Sequence, residues 1–164
     1  MKLYLARHGD AGPPVGDDDR TRPLTELGRA ECAQVSLFLG TSGLVVNRIH
    51  HSAYARTQET AEIYARSLSD TLRLEPLDVI GPEKPIEPVL DFLAEEEEDT
   101  LLVGHFPQFT RLASKLLECS PLPFTFDTGS FVCLEPRGGP NGARSIAWFI
   151  RPDLLGRSHL LTRT

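Results

Sequence analysis

Lys2-Leu3-Tyr4-Leu5-Ala6-Arg7-His8-Gly9-Asp10 is the stretch whose reading decides the fold. Leu3 to Ala6 is a short apolar run of the kind that forms a buried strand. It then delivers a guanidinium, an imidazole and a glycine in succession. Glycine takes a sharp or left-handed turn at little steric cost. A strand that ends in reactive side chains over a turn is where α/β proteins place their sites. An imidazole beside a guanidinium suits attack on an anion that the arginine already holds. Taken by itself, the stretch fits a surface Arg7 and a loop His8 equally well.

Beyond Asp10 the chain alternates helices and strands. The polar loop Ala11 to Pro23 carries Asp17-Asp18-Asp19-Arg20-Thr21-Arg22, and its prolines and glycines preclude regular structure. Thr25 suits a helix N-cap, with Glu26 in the first turn. Leu24, Leu27, Ala30, Ala33 and Leu37 recur at helical spacing and predict the buried face of that helix, which Gly40 and Gly43 close. Leu44 to His51 reads as a second strand. Tyr54 to Leu68 reads as a helix with Ala61, Tyr64, Ala65 and Leu68 on one side. Arg73 to Ile80 is a short extended piece. Ile86, Val89, Leu90, Leu93 and Ala94 mark a third helix. It ends in the acidic run Glu95 to Asp99, which reads as a solvated helix end rather than a metal site. Thr100 to Gly104 is a third clear strand, and Phe109, Leu112, Ala113, Leu116 and Leu117 mark a fourth helix. Ser130–Glu135 and Ser145–Ile150 alternate like an antiparallel hairpin across Arg137–Gly142. The pattern predicts an α/β fold: a mostly parallel sheet, helices on both faces and a late antiparallel pair.

Bulk properties narrow the function. A length of 164 residues predicts one domain, 1–164, with a core of its own. The net charge of −6 provides no global basic field, so no nucleic acid partner is expected. Cys32, Cys119 and Cys133 are odd in number and lack CxxC spacing, which argues against a disulfide framework or zinc finger and fits packing thiols in a reducing cytoplasm. The apolar run after Lys2 is too short for a signal peptide. No stretch approaches the roughly 18 apolar residues of a membrane helix. A cytoplasmic protein without a membrane partner is expected.

The chemistry falls at the carboxyl ends of the three clear strands. The first ends in Arg7-His8-Gly9. The second ends at His51-Ser52, with Arg56-Thr57-Gln58 opening the next helix. The third ends in Gly104-His105, just before a helix opened by Pro107. In a parallel sheet these ends share one edge, over helix N-termini that favour anions. Arg7, His8, Arg56 and His105 can therefore converge. Two guanidiniums and two imidazoles at one point make a phosphate pocket, because arginine forks bond phosphate oxygens two at a time.

Four segments together resemble one family. They are Arg7-His8-Gly9-Asp10-Ala11, Arg22-Pro23-Leu24-Thr25-Glu26-Leu27-Gly28, Ser52 to Ala61 with its Arg56-Thr57-Gln58-Glu59-Thr60, and Val103-Gly104-His105. In this order and spacing they resemble the histidine phosphatase superfamily, and its small SixA-like phosphohistidine phosphatases most of all. The resemblance runs from Lys2 to about Leu117. It implies a three-layer α/β/α sandwich of phosphoglycerate-mutase type and a phosphorylated-histidine intermediate. His8 would be the nucleophile, with Arg7, Arg56 and His105 binding the phosphoryl group. No metal or other cofactor is implied.

The chain departs from the family pattern in three places. Phe106-Pro107 follows the second histidine where many members have Asn-Pro. The segment between the second and third strands, Ser69 to Asp99, is too short for the insertion that carries an acidic proton donor in larger members. Glu83 is the nearest candidate donor, against the alternative of a loop carboxylate beside Pro82. There is no lid-like domain. An open site without an obvious acid suits phosphohistidine on a partner protein, because an imidazole can leave already protonated. A small phosphomonoester is the alternative substrate. A non-catalytic phosphate-binding module is disfavoured by the full complement of nucleophile and clamp. Arg20 and Arg22 either extend the positive rim or serve elsewhere: Arg20 as a surface charge, Arg22 in a pair with an acid of Asp17–Asp19.

Overall fold

Strand β1 (Leu3–Arg7) is buried on both faces and paired on both edges. A strand so placed must be apolar throughout, which is why Leu3 to Ala6 shows no polar alternation. The computed structural model describes residues 1–69, 72–138 and 142–156. Around β1 the chain builds one six-stranded sheet from β2 (Arg48–His51), β3 (Leu74–Pro76), β4 (Thr100–Gly104), β5 (Phe131–Pro136) and β6 (Arg144–Ile150), in the order β3-β2-β4-β1-β5-β6. β1, β2, β3 and β4 run parallel, while β5 and β6 form the antiparallel end.

Alternation along β1 sorts the core into two layers. Leu3 and Leu5 face α3 (Glu87–Glu95) and α4 (Gln108–Leu116), packing with Val89, Leu93, Phe109 and Leu112. Tyr4 and Ala6 face α1 (Glu26–Thr41) and α2 (Ala55–Leu68), packing with Val35, Leu39, Ala61 and Tyr64. The result is the expected α/β/α sandwich with its late hairpin. Asp70 and Thr71, residues 139–141 of the hairpin connection, and 157–164 lie outside the described residues, so the full 1–164 span expected of the domain is not covered.

Three sequence expectations change. First, the buried face of α1 is Gly28, Cys32, Val35, Ser36 and Leu39. Leu27 and Leu37 are 50% and 63% exposed, and Ala33 is exposed too. Apolar spacing pointed to the wrong stripe because contact between α1 and α2 is made by small residues. Gly28, Cys32, Ser36 and Gly40 recur every fourth position. The Ser36 hydroxyl donates to the Ile63 carbonyl at 3.0 Å, and a Cβ on Gly40 would lie 2.5 Å from the Ser67 carbonyl oxygen. Gly40 is thus a close-approach position in the last turn of the helix, which Gly43 follows at a φ of +72°.

Second, the strand expected over Leu44–His51 begins only at Arg48. Leu44 and Asn47 spend their amides on the Leu39 and Asp99 carbonyls, and Val45 is exposed. Third, the extended piece after α2 is a true fourth parallel strand, β3, paired with β2. Thr25 caps α1 as expected, its hydroxyl accepting from the Gly28 amide at 3.0 Å.

The small-residue seam predicts an inverted mutational response. Alanine is a better helix former than glycine, yet Gly40→Ala should lower unfolding free energy by about 1–3 kcal/mol through overpacking. Leu37→Gln should change it by no more than about 0.5 kcal/mol. Chemical denaturation of both variants checks the pair; the opposite ranking would restore the leucine stripe as the buried face.

Candidate functional site

Parallel register brings the two histidines together. β1 and β4 align Arg7 with Gly104, and the His8 amide donates to the Gly104 carbonyl at 3.1 Å. The next residue on each strand end is a histidine. The His8 and His105 rings lie 5.2 Å apart. β2 lies on the other side of β4 and carries Ser52 and α2 to the same edge.

The turn after β1 is seated on the start of α1. A Cβ on Gly9 would lie 2.7 Å from Cys32 Sγ and 2.9 Å from the Gly28 carbonyl oxygen; one on Gly28 would lie 2.2 Å from the Asp10 carbonyl oxygen. Only glycine permits this approach at either position. Thr25 donates to the Asp10 carboxylate at 2.7 Å, and Thr60 accepts from the Gly9 amide at 3.2 Å. Three of the four sequence segments therefore clamp one short loop.

His8 is held in one tautomer. Its Nδ1 lies 2.7 Å from the Gly9 carbonyl, which can only accept, so Nδ1 carries the proton and Nε2 keeps a lone pair. Burial pushes the His8 pKa down to about 4; the Gly9 bond opposes this, and Arg56, Arg7 and Arg22 add to it. The ring is neutral at physiological pH. His105 is lowered to about 2, mainly by burial, then by His8 and Arg56, with Asp19 opposing.

His105 is oriented by hydroxyls. Its Nε2 is 2.6 Å from Ser52 Oγ, which lies 2.7 Å from Thr57 Oγ1. The Tyr54 ring packs edge-on to His105 at 4.7 Å, and its face supports the Arg56 guanidinium at 4.6 Å. Arg7 donates through Nη1 to the Phe126 carbonyl at 2.6 Å. Arg7 Nε, Arg56 Nε and His105 Nδ1 are all buried and make no hydrogen bond among the described residues. Buried polar atoms are normally satisfied, so these three nitrogens carry hydrogen-bonding capacity that no described residue uses.

The remaining candidates have partners of their own or none described. Arg20 is bound to Asp18 and 66% exposed at its side chain. Arg22 donates to the Gly12 and Ala11 carbonyls at 2.7 and 3.1 Å and to Asp19 at 3.2 Å, bracing the loop. Glu83 is exposed in the turn before α3, and no described bond links it to the pocket. Sequence reasoning passed over Tyr54 and Thr57, and gave Ser52 no role beyond the motif. It named Asp19 only as one of three possible partners of Arg22, a pairing the structure contains, and not as the carboxylate that accepts from Arg56. The available signals were the hydroxyl directly after His51 and an acidic run beside Arg22. Among the described residues no group of three or more His, Cys, Asp or Glu is placed to hold a metal ion. No described helix is long and apolar enough to cross a membrane.

Fold and strand-end site together define a phosphoglycerate-mutase-like α/β protein. The sequence model of the histidine phosphatase superfamily (branch 1) matches residues 3–77, so the first half of the chain is similar to that superfamily. Over 86 residues, 52% of this chain, it is 34% identical to the human mitochondrial serine/threonine-protein phosphatase PGAM5. That match spans 29% of the length of PGAM5. The structure of the protein histidine phosphatase SixA complexed with tungstate superposes with a TM-score of 0.83 at 24% identity, covering 94% of this chain and 99% of that one. A phosphohistidine phosphatase SixA from Agrobacterium tumefaciens, described as putative, gives 0.80 at 23% identity, covering 93% and 98%.

Because burial lowers the His8 pKa, protonation of His8 should begin far below the ordinary imidazole range. Between pH 6.5 and about 4 the unfolded chain binds this proton and the folded chain does not, so stability should fall across that window. A histidine NMR titration, with the signal assigned through His8→Gln, should place the His8 midpoint near pH 4. A midpoint near 6.5 would mean an exposed, uncoupled ring.

Proposed function

We propose that this protein is a phosphatase that works through a phosphorylated His8 and removes phosphate from phosphohistidine on a partner protein. One observation carries the reading: a neutral imidazole with its Nε2 lone pair free, ringed by three buried donors without partners. His8 Nε2 attacks phosphorus as the bond from phosphorus to the leaving group breaks. Arg7, Arg56 and His105 take the charge on the equatorial oxygens, where phosphoryl-transfer catalysis mostly resides. Ser52 Oγ engages His105 Nε2, so Nδ1 is the ring nitrogen left for the phosphoryl group, to which it donates in the Nδ1–H tautomer. Water then cleaves the N–P bond on His8 and releases inorganic phosphate.

The choice of substrate follows from the acids. Glu83 is exposed and makes no described bond to the pocket, and the carboxylate bonded to a pocket arginine, Asp19, is held ionised by Arg56 and Arg22. An ionised carboxylate cannot donate the proton that an alkoxide leaving group needs. An imidazole leaves protonated from bulk water. Tungstate, a phosphate-like oxyanion, binds the SixA of similar fold, which supports the same pocket here. The positive charge comes from the protein's own arginines, so a metal ion is not required by this scheme. Similarity to PGAM5 over half the chain favours a phosphorylated serine or threonine as the competing reading.

His8→Ala should abolish turnover, and brief mixing of wild type with labelled substrate should trap acid-labile, base-stable phosphate on His8. Label on serine or aspartate would exclude the mechanism. Arg56→Lys keeps charge but loses the guanidinium geometry and should cost roughly tenfold or more in kcat/KM. Glu83→Gln should cost less than about tenfold on phosphohistidine, below the range for losing a general acid. A panel of phosphohistidine protein, phosphoserine peptide and sugar phosphates decides the substrate: faster turnover of the phosphate esters would overturn the phosphohistidine assignment.

A further inference from the structure

Asp19 stands at the opening of a short 3-10 turn, Asp19–Thr21, in the loop between β1 and α1. It grips Arg56 twice. The Asp19 carbonyl accepts from Arg56 Nη1 at 2.8 Å, and the carboxylate accepts from Nη2 at 2.9 Å. The other carboxylate oxygen accepts from Arg22 Nη1 at 3.2 Å. Arg22 is itself pinned to the Gly12 and Ala11 carbonyls. The Arg56 side chain is 5% exposed and that of Asp19 is 55% exposed. A surface carboxylate thus reaches inward to hold a buried guanidinium by its far end.

This grip settles which edge of Arg56 meets the pocket. Tyr54 covers one face of the guanidinium, and Asp19 occupies the terminal nitrogens. The side-on edge, Nε–H with the free hydrogen of the neighbouring terminal nitrogen, is what remains, and Nε is the buried atom without a partner. Arginine has many rotamers, and a clamp is effective only when its donors are already in place. A two-pronged hold on a phosphate would therefore use the side-on edge of Arg56 rather than its end.

We propose that Asp19 is a positioning residue: it holds Arg56 end-on so that the Nε–H edge is presented to the phosphoryl group. It does so at a cost to ground-state affinity, because its negative charge lies beside the arginine that binds the anion. The two effects separate experimentally. Losing the Asp19 charge should make the pocket bind phosphate more tightly while the transition state is held less well. This inference rests on the phosphatase reading for its kinetic arm only.

The test is Asp19→Asn, which keeps the size and the backbone carbonyl. Inorganic phosphate, followed by its inhibition of turnover and by direct calorimetric titration, should bind several-fold more tightly. kcat should fall about tenfold while KM does not rise. In an Arg56→Ala background the same change should have no further effect on kcat, since there is no guanidinium left to hold. Asp18→Asn is the control: that carboxylate bonds Arg20, and the change should leave both constants as in wild type. Weaker phosphate binding in Asp19→Asn would overturn the inference, as would an undiminished kcat or an equal loss in the Arg56→Ala background. An equal loss in Asp18→Asn would assign the effect to loop integrity and overturn it as well. Absence of His8-dependent turnover in the wild type would instead sink the phosphatase reading, and phosphate titration would still score Asp19.

Discussion

Parallel pairing of β1 with β4 is the constraint on which the rest of the molecule depends. It sets Leu3 opposite Thr100 and Arg7 opposite Gly104. Both strands are buried, so a slip of one residue would turn every apolar side chain to the wrong layer. Core packing therefore enforces a register whose by-product is two histidines at adjacent strand ends. The glycine at 104 matters to the same pairing: a Cβ there would lie 2.4 Å from the Phe109 ring. Strand, following turn and helix are packed as one piece, with His105 at the bend.

Charge in the pocket is arranged around a neutral centre. Burial and neighbouring guanidiniums keep both imidazoles uncharged, so His8 retains its lone pair among cations. Arg7 is itself lowered by burial and by Arg56, with Asp127 opposing. Asp19 is the counterweight, exposed at the rim and bonded inward. The arrangement concentrates hydrogen-bond donors without a matching set of protonated acids.

Much of this was legible in the chain. β1, β4, α2 and α4 stand within a residue or two of their sequence-read limits, because long apolar runs and helical spacing are strong signals. The convergence of Arg7, His8, Arg56 and His105 followed from the rule that parallel strand ends share an edge. The α1 face was misread because small residues at every fourth position carry no hydropathy signal, whereas Leu27 and Leu37 carry a strong one. Asp19 was not singled out because its importance lies in a bond to Arg56, far along the chain, and no local pattern encodes that bond. Its neighbours Asp17 and Asp18 have the same chemistry and different partners or none described.

The β1–β4 ladder also has a kinetic meaning. It joins residue 3 to residue 100 and residue 7 to residue 104, so bringing the two histidines together depends on non-local contacts. Such pairings must close a long loop before they are rewarded, and parallel sheets assemble slowly for that reason. Helices α1 and α2 and the hairpin of β5 and β6 can form from local contacts well before the two histidines meet. The anion pocket is accordingly a late event in folding. While the chain waits for it, the apolar edges of β1 and β4 stand open to pairing with other chains.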